Sequence, residues 1–232
     1  MATSSHEDFN QQWHQRWQKN EIGFHVKDVQ PWLVEHWPLL VGPAQEQSPC
    51  VFVPLCGKTL DIEYFLKQGY VVVGCELSEL AIKQLFDQLA ITPSISAWGD
   101  GLCYQGENIR VYVGDFFTLT QADLMGVNYI YDRAALIALS TDTRVEYCKR
   151  LIDLCPKARQ LVITLDYDSQ KKQGPPYGVS GEEMQLHYQA SHNIKRVLHE
   201  NIIEDEPRFK KRGLTSLFES LYWLEPITEK TE

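Results

Sequence analysis

Apolar residues in this chain fall in short runs divided by helical stretches, and the clearest case is Cys50 to Glu76, CVFVPLCGKTLDIEYFLKQGYVVVGCE. Cys50 to Pro54 is an apolar run of strand length. Leu55-Cys56-Gly57-Lys58 follows as a tight, glycine-containing turn. Thr59 to Gln68 carries helical spacing and stops at Gly69, and a second apolar run, Tyr70 to Cys75, ends directly on Glu76. The pattern predicts strand, turn, helix and strand, with a carboxylate at the tip of the second strand. Such a unit suits nucleotide-type ligands. Backbone N–H groups at the turn and helix start meet one end of the ligand, and the acid accepts from ribose hydroxyls.

The same reading extends in both directions. Phe9, Trp13 and Trp17 recur at every fourth position, one face of an amphipathic helix. That stripe either faces a core or lays aromatics over a ligand. A loop with Gly23 and Phe24 follows, then a helix from near Pro31 to Leu40, with Pro31 in its first turn. Beyond Glu76, Ser78 is an N-cap for a helix to about Ala90. Ile91 to Gly106 reads as loop. Ile109 to Val113, Val127 to Tyr131 and Gln160 to Leu165 read as strands. A helix from about Asp142 to Leu154 precedes the last of these, with Val145, Cys148, Leu151 and Ile152 inward. Strands alternating with helices predict a mostly parallel sheet with helices on both faces. Glu76, Asp115, Asp132 and Asp166 lie just past strand ends, where open α/β sheets bind ligands. In the tail, Ser180 and Glu183 have capping-box spacing. Ile194 to Glu204 and Leu214 to Leu224 read as two strands. The short loop between them is compatible with an antiparallel pair.

Composition narrows the classes. At 232 residues the chain suits one domain, 1–232, with residues 1–45 as an N-terminal helical cap and 46–232 as the α/β core. A net charge of -9 argues against a polyanion partner, and Arg208, Lys210, Lys211 and Arg212 are too few for a nucleic-acid track. No apolar run approaches the roughly 18 residues of a membrane span, and the polar N-terminus has no signal core, so a cytoplasmic protein is expected. The 6 cysteines form no Cys-x-x-Cys pair and no metal site is expected. Nothing suggests an obligate interface, so a monomer is expected.

Several motifs in this order resemble the thiopurine S-methyltransferase family, in its bacterial form. They are Trp13-x-x-x-Trp17, Gly23-Phe24-His25, Val53-Pro54-Leu55-Cys56-Gly57-Lys58, Gly74-Cys75-Glu76-Leu77-Ser78-Glu79, Tyr131-Asp132-Arg133-Ala134-Ala135-Leu136, Gly174-Pro175-Pro176 and Gly213-Leu214 with Leu217-Phe218-Glu219. They span about residues 9 to 224. The resemblance implies a class I methyltransferase: a Rossmann-like three-layer sandwich with a mostly parallel seven-stranded sheet, an antiparallel C-terminal strand and the helical cap. It implies S-adenosyl-L-methionine as cofactor, with S-adenosyl-L-homocysteine as product. Trp13 and Leu55 match cofactor contacts, Glu76 the ribose acid, Phe116 the residue beside the adenine, and Arg133 an arginine at the cofactor and acceptor site. Phe24 and Arg208 match residues bordering the acceptor, although the loop around Arg208 departs from the family's pattern. The implied acceptor is a small molecule: a thiopurine-like aromatic or heterocyclic thiol, with selenium or tellurium species as a further chalcogen class.

The residues suit that chemistry. A methylsulfonium is already activated, so transfer to sulfur needs a thiolate and an in-line approach more than a strong base. No catalytic triad or nucleophile elbow is present. A cation near the acceptor sulfur favours the thiolate, and Arg133 is the candidate catalytic residue. Each position also has a plain structural reading. The turn at 55–58 is neither a Walker sequence nor Gly-x-Gly-x-x-Gly, Glu76 could serve a helix start, and Asp132-Arg133 could be a surface ion pair. Two other functions remain open at this level: a non-catalytic S-adenosylmethionine-binding scaffold or sensor, and a nicotinamide-dependent oxidoreductase.

Overall fold

A computed structural model describes residues 3–23, 25–42, 48–170 and 174–227. It comprises two compact units, Met1–Val127 and Asn128–Glu232. In the first, the apolar run at Cys50 becomes β1 (Cys50–Val53) and the run before Glu76 becomes β2 (Val71–Glu76), with α3 (Asp61–Lys67) between them. β1 and β2 pair in parallel, Cys50 opposite Val71 and Val53 opposite Gly74. Both strands are buried almost throughout, which is why their sequences are continuously apolar rather than alternating. Val51, Phe52, Val72 and Val73 are among the core side chains, each stabilising the fold by about 1.5–3 kcal/mol.

Three further elements precede or follow that unit. α1 (Thr3–Gln18) and α2 (Pro31–Val41) come before it, and α4 (Glu79–Gln88) after it, capped by Ser78 as expected: its Oγ accepts from the Ala81 N–H at 3.4 Å. α2 is anchored by Trp37, which stacks edge-on against Phe65 and Tyr70 and donates from Nε1 to the Tyr70 hydroxyl at 3.0 Å. Its start is tied to α3, since the Gln30 N–H donates to the buried Asp61 carboxylate at 2.9 Å.

The stretch expected as loop, 91–106, is instead a hairpin of β3 (Ser94–Trp98) and β4 (Gly101–Gln105), antiparallel to each other. β3 is mostly exposed, so it shows no buried alternation by which a strand is recognised. The hairpin's real signal is Trp98-Gly99-Asp100-Gly101. Gly99 takes φ +53°, as a glycine in first place of a two-residue hairpin turn does. β4 pairs antiparallel with β5 (Ile109–Val113), which pairs in parallel with β2, giving the order β3-β4-β5-β2-β1 in this unit.

The second unit holds β6 (Val127–Arg133), α5 (Thr141–Leu154), β7 (Arg159–Asp166), α6 (Gly181–Tyr188), β8 (His192–Asn201), α7 (Pro207–Lys210) and β9 (Phe218–Pro226), in strand order β6-β7-β9-β8. β6 and β7 are parallel; β9 is antiparallel to both β7 and β8, as the tail predicted. The two tail strands are displaced from their expected bounds. Leu214 and Leu217 do not belong to β9. They join Tyr167, Ile203 and Phe209 in a separate buried cluster, so the connection between β8 and β9 is the longer segment 202–217.

α5 also turns differently from its apolar spacing. Val145 is 53% exposed, while Arg144 and Tyr147 are buried with Cys148, Leu151 and Leu154. A buried arginine needs a partner, and Arg144 has one in the Glu183 carboxylate, its Nε 3.0 Å from Oε1. The Ser180 cap forms, with its Oγ accepting from the Glu183 N–H at 3.2 Å, while the Glu183 carboxylate reaches Arg144.

All 6 cysteines are free. Burial pushes the Cys50 thiol up to about 11 and Cys148 to about 12, and raises Cys56, Cys75 and Cys103 as well. Thiolate is the reactive species, so the native protein should react slowly with an aromatic disulfide reagent at pH 8 and fully in denaturant. A thiol that reacts within seconds in the native state would contradict this burial. Among the described residues no helix is long and apolar enough to cross a membrane.

Candidate active site

Glu76 closes β2 with its side chain turned inward, 6% exposed. Both oxygens are held by main chain: Oε2 accepts from the Gly57 N–H and Oε1 from the Ser78 N–H, each at 2.8 Å. Burial raises its pKa, and the amides of Ser78, Gly57 and Leu77 work against that rise. Each oxygen has a second lone pair for a further donor. The carboxylate is therefore a fixed, desolvated acceptor.

The turn that supplies one of those amides is shaped by two unusual backbones. Leu55 sits at φ +45° and Gly57 at φ +52°. The left-handed region costs a side-chain-bearing residue about 1–2 kcal/mol. The Cys56 N–H offsets that cost by donating to the Cys75 carbonyl at 3.0 Å, and the Gly57 bond to Glu76 adds to it. Close packing underneath explains Gly74: a Cβ there would lie 3.0 Å from the Cys56 Sγ and 3.3 Å from Val111. Lys58 is drawn off sideways, donating to Gln84 Oε1 at 2.8 Å.

β5 brings the next acid to the same edge. Val113 is level with Glu76, and the Gly114 N–H donates to the Glu76 carbonyl at 3.0 Å. Asp115 then caps a 3₁₀ turn, Phe116–Thr118, accepting from the Phe117 N–H at 2.9 Å. Its other oxygen accepts from Asn10 Nδ2 at 3.0 Å, which ties α1 to this edge. Phe116 itself is a core residue, 3% exposed and stacked on Phe52 at 6.5 Å. Trp13 lies one turn beyond Asn10 on α1. It is half-buried, edge-on to Phe9 at 6.1 Å, with the Arg16 guanidinium 5.4 Å from its ring. Trp17 is buried, so the aromatic stripe divides: Trp17 packs inward and Trp13 stays accessible. Leu55, Glu76 and Phe116 thus lie at the C-terminal edge of β1, β2 and β5, and the Asn10–Asp115 bond brings α1, which carries Trp13, to that edge. Phe24 lies outside the described residues.

In the second unit, Asp132 and Arg133 end β6 and, as strand neighbours, point to opposite faces. Asp132 is fully buried, accepting from the Leu136 N–H at 3.0 Å and the Tyr147 hydroxyl at 2.6 Å. Burial pushes it up to about 6. It holds the turn after β6 to α5, a structural role in place of the surface ion pair the sequence allowed. Arg133 is partly exposed and lies opposite Ile163 of β7. Arg208 is on the four-residue helix α7, largely exposed, 3.8 Å from Glu206. Its neighbour Phe209 packs against Tyr167 at 6.0 Å.

Sequence reasoning missed the parts that fix these groups. The amides of Gly57 and Ser78, Asn10 and Tyr147 carry no motif of their own. Only the close spacing of Glu76 and Ser78 hinted that one acid could meet both a turn and a helix start.

The fold is that of class I S-adenosylmethionine-dependent methyltransferases. The chain is similar to 1,6-didemethyltoxoflavin-N1-methyltransferase of Burkholderia thailandensis, solved with S-adenosylhomocysteine, at a TM-score of 0.60 and 16% identity, covering 97% of this chain and 90% of that one. A SAM-dependent methyltransferase from Anabaena variabilis matches at a TM-score of 0.57 and 15% identity, covering 94% and 95%. At such identities the likeness shows the fold alone. The chain belongs to the thiopurine S-methyltransferase family, whose model matches residues 9–226. Thiopurine S-methyltransferase of Shewanella sp. (strain MR-4) is 41% identical over 213 residues, covering 91% of this chain and 96% of that protein. The same enzyme of Pseudomonas fluorescens (strain Pf0-1) is 39% identical over 210 residues, covering 90% and 95%. Family and fold together make the chain an S-adenosylmethionine-dependent methyltransferase and remove the nicotinamide reading.

Proposed function

We propose that this enzyme moves a methyl group to the sulfur of thiopurine-like aromatic or heterocyclic thiols, with selenium or tellurium oxyanion-derived species as a second acceptor class. The observation that carries the cofactor half is the Glu76 carboxylate, buried and held by two main-chain amides beside the Leu55–Gly57 turn. Its remaining lone pairs fit a pair of ribose hydroxyls. When bound, S-adenosylmethionine supplies a methyl already activated by its sulfonium.

The chain's own residues then have separate tasks. Glu76 accepts from the ribose. Leu55 and the turn backbone bound the methionine side, Trp13 covers the ligand from α1, and Phe116 backs the adenine from the core. Lys58, committed to Gln84, takes no part. Arg133 stabilises the acceptor as its thiolate, since an opposite charge within about 4–6 Å favours the ionised form. Phe24 and Arg208 border the acceptor. The chain works as a monomeric, cytoplasmic domain on a small molecule, with no nucleic acid or membrane partner.

Labelled S-adenosylmethionine offered with 6-mercaptopurine, thiophenol, selenite and tellurite tests this. Methyl transfer to the aromatic thiols is expected. If S-adenosylhomocysteine binds yet no sulfur or chalcogen acceptor is methylated, the acceptor assignment fails.

A further inference from the structure

Glu219 is an ionisable side chain of the second unit on the sheet itself, next to the first residue of β9. It lies in a mostly apolar run, Phe218-Glu219-Ser220-Leu221-Tyr222-Trp223-Leu224. It is partly buried. Its place is set by register. Arg133 is opposite Ile163, Ile163 is opposite Leu221, and Leu165 is opposite Glu219. Paired residues and those two apart share a face of a sheet, so Arg133, Ile163, Leu165, Leu221 and Glu219 all lie on one face. Arg133 and Glu219 are separated by two inter-strand steps, about 10 Å across the sheet, and by two residues, about 7 Å, along it, roughly 12 Å in all. A guanidinium on its long stem covers much of that distance.

The segment 202–217 covers the same face. Leu165 and Ile202 pack against its buried cluster, which includes Tyr167, Ile203 and Phe209. The segment is pinned at both ends beside Glu219: Asn201 Oδ1 accepts from the N–H groups of Ile203 and Leu217, each at 3.2 Å, and the Ile202 N–H donates to the Leu217 carbonyl at 2.8 Å. Three charged groups around Glu219 come from different elements. Glu200 of β8 is directly opposite it, Glu206 comes from the covering segment, and Arg133 from β6. On this face of β7, Ile163 and Leu165 lie between Arg133 and Glu219, and its charged residue, Arg159, sits at the far end of the strand, opposite Tyr129. Arg208 rides on the covering segment but is turned out toward solvent.

Burial pushes the Glu219 carboxyl up to about 6; the Arg133 guanidinium favours its ionised form, and the Glu206 and Glu200 carboxylates oppose it. Two carboxylates facing each other across a strand pair are unfavourable. Stability therefore does not explain an ionised Glu219 here, whereas the attraction to Arg133 supplies a use for it.

We propose that Glu219 is a positioning residue for methyl transfer, its carboxylate drawing the Arg133 guanidinium along this sheet face and fixing where that charge meets the acceptor. The inference rests on the role assigned to Arg133 above. It acts only while Glu219 is ionised, so its contribution fades as pH falls through about 6.

The test compares Glu219→Gln with the unsubstituted enzyme on 6-mercaptopurine from pH 5 to 8. At pH 7.5, Glu219→Gln should lower kcat/KM by roughly tenfold, the scale of one contact to a charged group. The ratio of the two rates should shrink toward one near pH 5, and acceptor ionisation cancels from that ratio. The melting temperature of Glu219→Gln at pH 7.5 should be equal or higher, because the raised pKa means the ionised side chain costs stability above about pH 6. Glu219→Asp should restore part of the rate and the pH dependence. In an Arg133→Ala background, Glu219→Gln should have no further effect. A ratio that stays constant with pH, or a rate loss matched by a lower melting temperature, marks a structural residue and overturns the inference. Full activity in Arg133→Ala would instead defeat the parent reading; loss in Arg133→Ala with none in Glu219→Gln defeats this one alone.

Discussion

Glu76→Ala should weaken S-adenosylhomocysteine binding by about 1.5–3 kcal/mol, roughly 10- to 150-fold in Kd by calorimetry. The side chain is a charged acceptor whose geometry is fixed before ligand arrives, so its loss falls on affinity. Two N–H groups, of Gly57 and Ser78, lose their acceptor at the same time. That would cost about 1–3 kcal/mol of stability if they stayed buried and unpaired. Removal of a desolvated carboxylate offsets part of it, and the melting temperature should fall only modestly. The two effects separate with pH. Because the folded pKa of Glu76 is raised, the native state is favoured most below the unfolded value, and that benefit is lost as pH rises through the folded value. Cofactor affinity runs the other way, falling as the carboxylate takes a proton. A Kd unchanged by Glu76→Ala would remove this acid from the cofactor site. A Kd that stays flat on acidification would show that the charge does not matter there.

How much of this was legible follows from where each signal resides. The unit at 50–76 was readable because two continuous apolar runs, a glycine turn and a terminal acid are all local. Helix α4 was readable from Ser78 for the same reason. The hairpin at β3–β4 was not, because its outer strand is solvated and lacks a buried alternation. The displaced tail strands have the opposite cause: Leu214 and Leu217 are apolar, but they pack with Tyr167, which is close only in the folded chain. The inward turn of Arg144 on α5 likewise depends on Glu183, far along the sequence. At the candidate site, side chains could be named from motifs, while their supports could not. Main-chain amides leave no trace in a sequence, and the register that places Glu219 on the Arg133 face exists only once β6, β7 and β9 are aligned.

Arg133→Ala should cut kcat/KM for 6-mercaptopurine by roughly 10- to 1000-fold at pH values below the thiol's own pKa, the range set by a one- to three-unit shift from a nearby cation. The thiolate role sets the shape of the loss as well as its size. If Arg133 acts by favouring the thiolate, its removal matters most where the free thiol is protonated. As pH rises past the acceptor's pKa, solvent supplies the thiolate and the defect should shrink. A loss that stays constant with pH would mean that the guanidinium serves geometry or cofactor binding instead. Arg133→Lys keeps the charge without the planar fork, so it should recover part of the rate while retaining the pH dependence of the unsubstituted enzyme. Stability is the remaining control. Arg133 is partly exposed at the last position of β6, so its truncation should move the melting temperature by only a few degrees. Full activity at pH 6 in a folded Arg133→Ala enzyme would end the thiolate argument, and the acceptor's ionisation would then need another source of stabilisation.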